Sequence, residues 1–152
     1  LHRGWINNQE TALTWEHDGQ ARKCSIDGVW ADESTGEYWL IDLKSTDDAS
    51  PDAMAKTIAR YQYHGQIAWY LEGLAANHMP VSKAVILVVE KTPPYAAGMY
   101  RISEGWVNLG QQLIADALTT YAAGSKDYGV QWCDPPEWAM PSMVNAEGGI
   151  DL

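Results

Sequence analysis

Three polar residues in apolar surroundings set the chemistry open to this chain. In the run Trp39-Leu40-Ile41-Asp42-Leu43-Lys44 an acid and a base stand two apart. In an extended strand that spacing puts Asp42 and Lys44 on one face, with Ile41 and Leu43 packing on the other. Burying both polar groups without partners is costly, so a strand that keeps them has something for them to bind, a metal ion or a phosphate. Asp27 lies on the preceding strand. An antiparallel pair closed by the Ser34-Thr35-Gly36 turn sets it near Asp42 across the ladder. Two facing carboxylates repel unless a cation lies between them. Hard, oxygen-ligated Mg²⁺ or Mn²⁺ suits the pair, because such ions take carboxylate, water and backbone carbonyl, here that of Leu43. Lys44 then stands where it can orient an attacking water or stabilise the extra negative charge of a pentavalent phosphate. Alone, the Asp-x-Lys triplet is a weak signal, and an ordinary cross-strand salt bridge of Lys44 with Asp42 or Asp27 is its plainer reading.

Further candidates follow on the next helical stretch. Gln66 and Tyr70 are four apart and share a helix face, where an amide and a phenol can hold a phosphate or the attacking water. A core Tyr70 beside a surface Gln66 is the plainer alternative. Tyr61 and His64 add side chains that packing or capping would also explain. Lys56, Arg60 and Lys23 are cations near the motif in sequence and candidates for lining a basic channel.

These side chains need a scaffold of strands and helices. Residues 10–16 alternate up to a His17-Asp18-Gly19 turn, residues 20–31 resume the pattern, and residues 37–45 form a third strand, giving an antiparallel meander. Residues 52–74 read as one helix. Pro51 follows Ser50 at a first-turn position, Asp52 favours the N-terminus, and Ile58, Ala59, Tyr63, Ile67 and Tyr70 recur at helical spacing. Gly65 is a place for it to kink. The near-continuous apolar run in 83–90 predicts a central strand buried on both faces. A short strand over 98–102 and a helix over 106–123 follow, the latter ending before Gly124. Residues 125–152 read as an irregular tail that Trp132 and Trp138 can pin to the body. The order predicts an α/β fold, a mixed central sheet flanked by helices, in one domain over 1–152.

Composition bounds the function. A chain of 152 residues fits one domain that buries about two thirds of its unfolded surface. With 46% hydrophobic and 20% charged residues, 8 Trp and 8 Tyr, general disorder is excluded. No apolar run reaches the roughly 18–20 residues that span a bilayer, so no membrane anchor is expected. The chain opens at Leu1 without a signal-peptide pattern and reads as a piece of something longer. Cys24 and Cys133 lack metal-ligand spacing and read as reduced thiols in a cytoplasmic protein. His2 and His17 read as surface residues. Ten Lys+Arg against 20 Asp+Glu give a net charge of −10, which argues against coating nucleic acid without selectivity. It leaves room for a local basic channel or an acidic pocket neutralised by divalent cations.

The arrangement of Asp27, Ile41-Asp42-Leu43-Lys44 and a following helix with Gln66 and Tyr70 resembles the PD-(D/E)xK nuclease superfamily. Within it the likeness is to RecE-type exonucleases, the exodeoxyribonuclease VIII group and its phage relatives. It covers residues 10–138 and is strongest over LIDLKSTDDASP and YQYHGQIAWYLEG. The resemblance implies a restriction-endonuclease-like core in which Asp27 and Asp42 hold the metal and Lys44 assists the nucleophilic water. The Gln-x-x-x-Tyr pair of the RecB-like and RecE-like branches falls on Gln66 and Tyr70. Ile26 stands where the motif name has Pro, and no upstream helix with a further acid or His is identifiable before Gln9. Glu10 is similar to a Glu on the family's first strand. What is implied is a Mg²⁺-dependent DNA exonuclease, acting 5′ to 3′ on linear duplex in recombination and leaving a 3′ overhang for a single-strand annealing partner. A ring-shaped homo-oligomer is implied too. The alternatives are a Cas4-like or RecB-like nuclease of different polarity, against which two isolated cysteines speak, and a non-catalytic DNA- or protein-binding module on the same fold.

Overall fold

The structure, a computed structural model, describes residues 10–32 and 34–124. Two sheets and three helices make up these residues. A hairpin of β1 (Thr11–His17) and β2 (Gln20–Ile26) stands apart from a four-stranded sheet formed by β3 (Gly28–Asp32), β4 (Glu37–Thr46), β5 (Lys83–Glu90) and β6 (Ala97–Arg101). The order in the larger sheet is β3-β4-β5-β6. The β4/β5 pair is parallel and the outer two pairs are antiparallel, so the sheet is mixed. The connection from β4 to β5 carries α1 (Pro51–Arg60) and α2 (Tyr63–Ala76), and α3 (Glu104–Ala122) packs on α2.

Two expectations about continuity are corrected. Residues 20–31 are two strands in two sheets rather than one strand of a three-stranded meander. Ile26 pairs with Thr11 in the hairpin, Gly28 pairs with Ile41 in the main sheet, and Asp27 sits at the crossing between them. The long helix over 52–74 is two helices, broken where Gln62 takes a left-handed conformation at φ 56°. Gly65 is no kink: it lies buried inside α2, and an added Cβ would stand 2.8 Å from a Leu113 methyl carbon on α3.

The core lies between the helices and one face of the main sheet. Leu40, Ile86 and Val88 of the sheet meet Met54, Ile58, Ile67 and Leu74 of the helices, all essentially inaccessible. The other face begins with Trp30 and Trp39 packed edge to face at 5.0 Å, with Lys83 Nζ over the Trp39 ring. Ile41 and Val85 are buried next to them. Beyond, Leu43, Val89 and Met99 are open. The expectation that Leu43 packs, and that β5 is buried on both faces throughout, is therefore corrected: β5 is central, but its last turn of apolar side chains on this face is covered by none of the described residues.

The hairpin is fixed to α2 by polar contacts. Glu72 accepts from Trp15 Nε1 at 2.9 Å and pairs with Arg22, and its Oε1 lies 3.0 Å from Nδ1 of His17, which is exposed at the surface as expected. Trp69 Nε1 donates to the Lys23 carbonyl at 3.0 Å, and Asn77 donates to the Thr14 carbonyl at 3.2 Å. Among the described residues no helix is long and apolar enough to cross a membrane. Cys133 and the Trp132 and Trp138 anchors expected for the tail lie outside the described residues.

Candidate active site

Asp42 lies on the core face of β4, between Leu40 and Lys44 and opposite Ile86 on β5. Its carboxylate is 1% exposed. Lys44 Nζ stands 2.6 Å from Oδ2 as an ion pair, and neither carboxylate oxygen has a well-aligned hydrogen-bond donor among the described residues. Burial pushes the pKa of Asp42 above the usual carboxylate range; the Lys44 ammonium opposes that shift and the charge of Asp27 adds to it.

Asp27 occupies the crossing between the sheets. Gly28 pairs with Ile41, and the same register carried back one residue puts Asp27 against Asp42. Its Oδ2 accepts the Leu43 backbone N–H at 2.6 Å, so the side chain lies along the edge of β4 that β3 leaves free. The N–H and C=O of one strand residue leave the same edge, and the Leu43 carbonyl therefore shares that edge with the Asp27 carboxylate.

Gln66 and Tyr70 face this group from α2. The Gln66 amide donates to Tyr70 Oη at 2.6 Å. Because that oxygen accepts from Gln66, its own O–H remains to donate to another group. Burial raises the Tyr70 pKa, Gln66 opposes, and the nearby charges of Asp42 and Asp27 raise it further, so the phenol keeps its proton at neutral pH.

Tyr63 is a participant the spacing alone did not single out. Lys44 Nζ lies 4.9 Å from its ring centroid, so the ammonium is held between a carboxylate and an aromatic face. Tyr63 stacks on Tyr61 at 5.8 Å and 22°, and Arg60 lies over the Tyr61 ring. The only available signal was the run of tyrosines at 61 and 63, whose direction depends on the helix break at Gln62.

The remaining candidates are spread. His64 turns away from the carboxylates, with Nδ1 3.4 Å from the Ile58 carbonyl and its ring 5.2 Å from that of Trp106 on α3. Glu10 is exposed, one residue before Thr11, whose partner is Ile26; the hairpin register thus brings its backbone level with Asp27. Lys56 and Arg60 are exposed on α1, and Lys23 is exposed on β2. The stretch before Gln9, where a further ligand was sought, lies outside the described residues.

The donor set fits a hard divalent cation. Mg²⁺ is commonly bound through one or two carboxylates, with water and substrate oxygens completing the shell. Here a buried carboxylate whose Oδ2 is ion-paired with Lys44 and whose Oδ1 has no partner among the described residues, a second carboxylate and a carbonyl edge lie together. Among the described residues no group of three or more His, Cys, Asp or Glu side chains converges.

Comparison with known proteins places the chain. A crystal structure from Eubacterium rectale, of a protein described as a candidate exonuclease, is similar at TM-score 0.61 and 13% identity, over 86% of this chain and 55% of that one. At that identity the likeness is one of fold, the restriction-endonuclease-like α/β arrangement. The crystal structure of SSO0001 aligns at TM-score 0.41 and 16% identity over 70% of this chain and 48% of that one. The chain spans about half the length of these solved structures. No curated protein matches it in sequence. A family model described as "PDDEXK-like domain of unknown function (DUF3799)" matches residues 5–127, which include Asp27, Asp42, Lys44, Gln66 and Tyr70, and the chain belongs to that family.

Proposed function

We propose that this chain is a Mg²⁺- or Mn²⁺-dependent nuclease that hydrolyses phosphodiester bonds in DNA, and more finely an exonuclease working 5′ to 3′ on linear duplex in recombination. The observation that carries the reading is Asp42: a carboxylate 1% exposed, its Oδ2 ion-paired with Lys44 and its Oδ1 without a partner among the described residues, beside Asp27. An isolated buried carboxylate is strongly unfavourable unless a cation compensates it, and Lys44 is one cation beside two carboxylates. Family membership and the fold shared with a candidate exonuclease support the same reading.

Asp42, Asp27 and the Leu43 carbonyl would hold the ion. When bound, it supplies a positive charge that polarises the phosphate and makes a water more acidic. The chain's own residues do the rest. Lys44, steadied by Asp42 and Tyr63, directs its ammonium at the water or at the charge that develops on the phosphate. Tyr70 presents its free O–H, and Gln66 fixes the orientation of that phenol. No side chain is required as a nucleophile, so the reaction is a direct displacement by water.

The experiment is an assay of end-labelled linear duplex with Mg²⁺, Mn²⁺ or Ca²⁺, comparing wild type with Asp42→Ala. Mg²⁺ and Mn²⁺ should support release of product from the ends, and Asp42→Ala should abolish it. Retention of more than about a tenth of the activity by a correctly folded Asp42→Ala protein would remove Asp42 from the site, since a lost catalytic contact ordinarily costs more than one order of magnitude.

A further inference from the structure

The two carboxylates of the site are not equally well fixed. Asp42 stands inside β4, whose ladder with β5 runs through it on both sides. Asp27 has no such frame. The β3/β4 ladder ends at Gly28 and the hairpin ladder ends at Ile26, so Asp27 is held by a single residue of each sheet. Where its carboxylate stands therefore depends on the pose of the β1/β2 hairpin.

That hairpin has little of its own to hold it. It pairs with no strand of the main sheet, and only Leu13 and Ile26 of its strands are buried. A two-stranded hairpin is at best marginally stable alone in water, so its pose comes from what it docks on. It docks on α2, through a charged contact. Arg22, its side chain 7% exposed, places Nη1 2.5 Å from Glu72 Oε1 and its guanidinium over the ring of Trp69 at 5.3 Å. Trp15 packs on Trp69 at 5.1 Å and donates to the same Glu72 oxygen, and Trp69 Nε1 donates to the Lys23 carbonyl, four residues before Asp27. The seat is close: a Cβ on Gly73 would stand 2.9 Å from the Trp15 ring.

A buried ion pair of this kind is a poor device for stability, because desolvating both charges offsets their attraction. Here the cost is higher still, since Arg22 Nε is buried without a partner among the described residues. What such a pair supplies is direction. The fork of Arg22 and the oxygen of Glu72 allow one placement of β2 on the helix that also carries Gln66 and Tyr70, where apolar groups would tolerate sliding.

We propose that Arg22, Glu72 and Trp69 are positioning residues for Asp27: they lock the hairpin onto α2 and thereby set the separation of the two carboxylates that a divalent cation must bridge. The inference rests on the metal reading of Asp27 and Asp42 and names the residues outside the site that tune its affinity. Mg²⁺ demands near-ideal octahedral geometry, so a displacement of about 0.5 Å in one ligand is enough to weaken it. Loss of residues that orient a metal ligand costs about 10- to 100-fold in affinity.

The test is calorimetric titration of the full chain with Mn²⁺, beside thermal unfolding of the metal-free protein. Arg22→Met combined with Glu72→Gln removes both charges and leaves an acceptor for Trp15. Tm should hold within about 5 °C, because neither charge is left unpaired, while the Kd for Mn²⁺ rises about tenfold or more. The control is the ion pair of Lys83 with Glu37, which touches neither the hairpin nor α2. Lys83→Met with Glu37→Gln should leave the Kd unchanged. A folded Arg22/Glu72 variant that binds Mn²⁺ as tightly as wild type overturns the proposal, and so does an equal loss in the control. Should the double variant fail to fold, Trp69→Phe decides. It keeps the ring under Arg22 and loses only the N–H to the Lys23 carbonyl, so the Kd should rise about threefold or more, and an unchanged Kd overturns the proposal. A wild type that binds no Mn²⁺ at all is a different result: the metal reading of Asp27 and Asp42 then fails, and this inference falls with it.

Discussion

Asp42 is ionised at neutral pH only at a cost, because burial raises its pKa above that of an exposed carboxylate while Lys44 offsets part of the shift. With the folded pKa above the unfolded one, the metal-free folded chain holds the proton more tightly. Its stability therefore falls as pH rises from the ordinary carboxylate value through the raised one, and above that window the charge is carried at full cost. A divalent cation bound by the folded state alone reverses the loss by mass action. Thermal unfolding above that window should show Mn²⁺ raising Tm in wild type and in Lys44→Ala, and leaving Asp42→Asn unmoved. Lys44→Ala should at the same time lose cleavage by something on the order of 10²-fold. Loss of the Mn²⁺ shift together with activity in Lys44→Ala would make Lys44 a structural ion-pair partner instead. At this scale the sequence was informative because strand and helix periods are rigid: a spacing of two put Asp42 and Lys44 on one face, and a spacing of four brought Gln66 to Tyr70. The period could not reveal that Leu43 is exposed, which depends on what covers the sheet, nor that Tyr63 lies under Lys44, which depends on where a helix restarts.

Elements explain why that restart was hidden. The break between α1 and α2 contains neither Gly nor Pro, and Gln62 takes its left-handed conformation with an ordinary side chain. The apolar spacing runs through it undisturbed, so the pattern reads as one helix. The split at Asp27 is masked likewise: Ile26 inward, Asp27 outward and Gly28 inward continue the alternation while the chain passes from one sheet to the other. Both breaks serve the site, one by freeing Asp27 from the ladder and the other by turning Tyr63 toward β4. The pose of α2 over the carboxylates depends in turn on its crossing with α3. A Cβ on Gly110 would stand 2.2 Å from the His64 carbonyl oxygen and 2.8 Å from the Ala68 Cβ, so the helices meet backbone to backbone there. Gly110→Ala should therefore destabilise the fold by about 2–4 kcal/mol despite the better helix propensity of Ala, because the contact is with main chain that cannot rotate away. Chemical denaturation reads this directly. A neutral or stabilising substitution would mean that α3 is not seated on α2 as described.

Over the whole molecule, a net charge of −10 sets a problem for any protein that must hold a polyanion. At physiological ionic strength screening limits electrostatic reach to about 8 Å, so exposed cations such as Lys56 and Arg60 attract only a strand already beside them. Beyond that distance the average field of the protein repels a polyanion. Degradation of long stretches per encounter would need retention of another kind, and a closed ring of subunits would supply it topologically: the strand would stay because it is enclosed, with the acidic surplus facing outward. Lys23, exposed on the β1/β2 hairpin, would be one of the cations turned to such a channel. On this reading light scattering should give a closed oligomer of constant mass across a wide protein concentration range. A trap of unlabelled DNA added after the start should leave ongoing digestion unaffected. Raising salt should then slow initiation far more than continuation, because only the first depends on attraction from solution. A monomer that digests long stretches past the trap would exclude the ring, and the clamp would have to come from another part of the protein or from a partner such as a single-strand annealing protein.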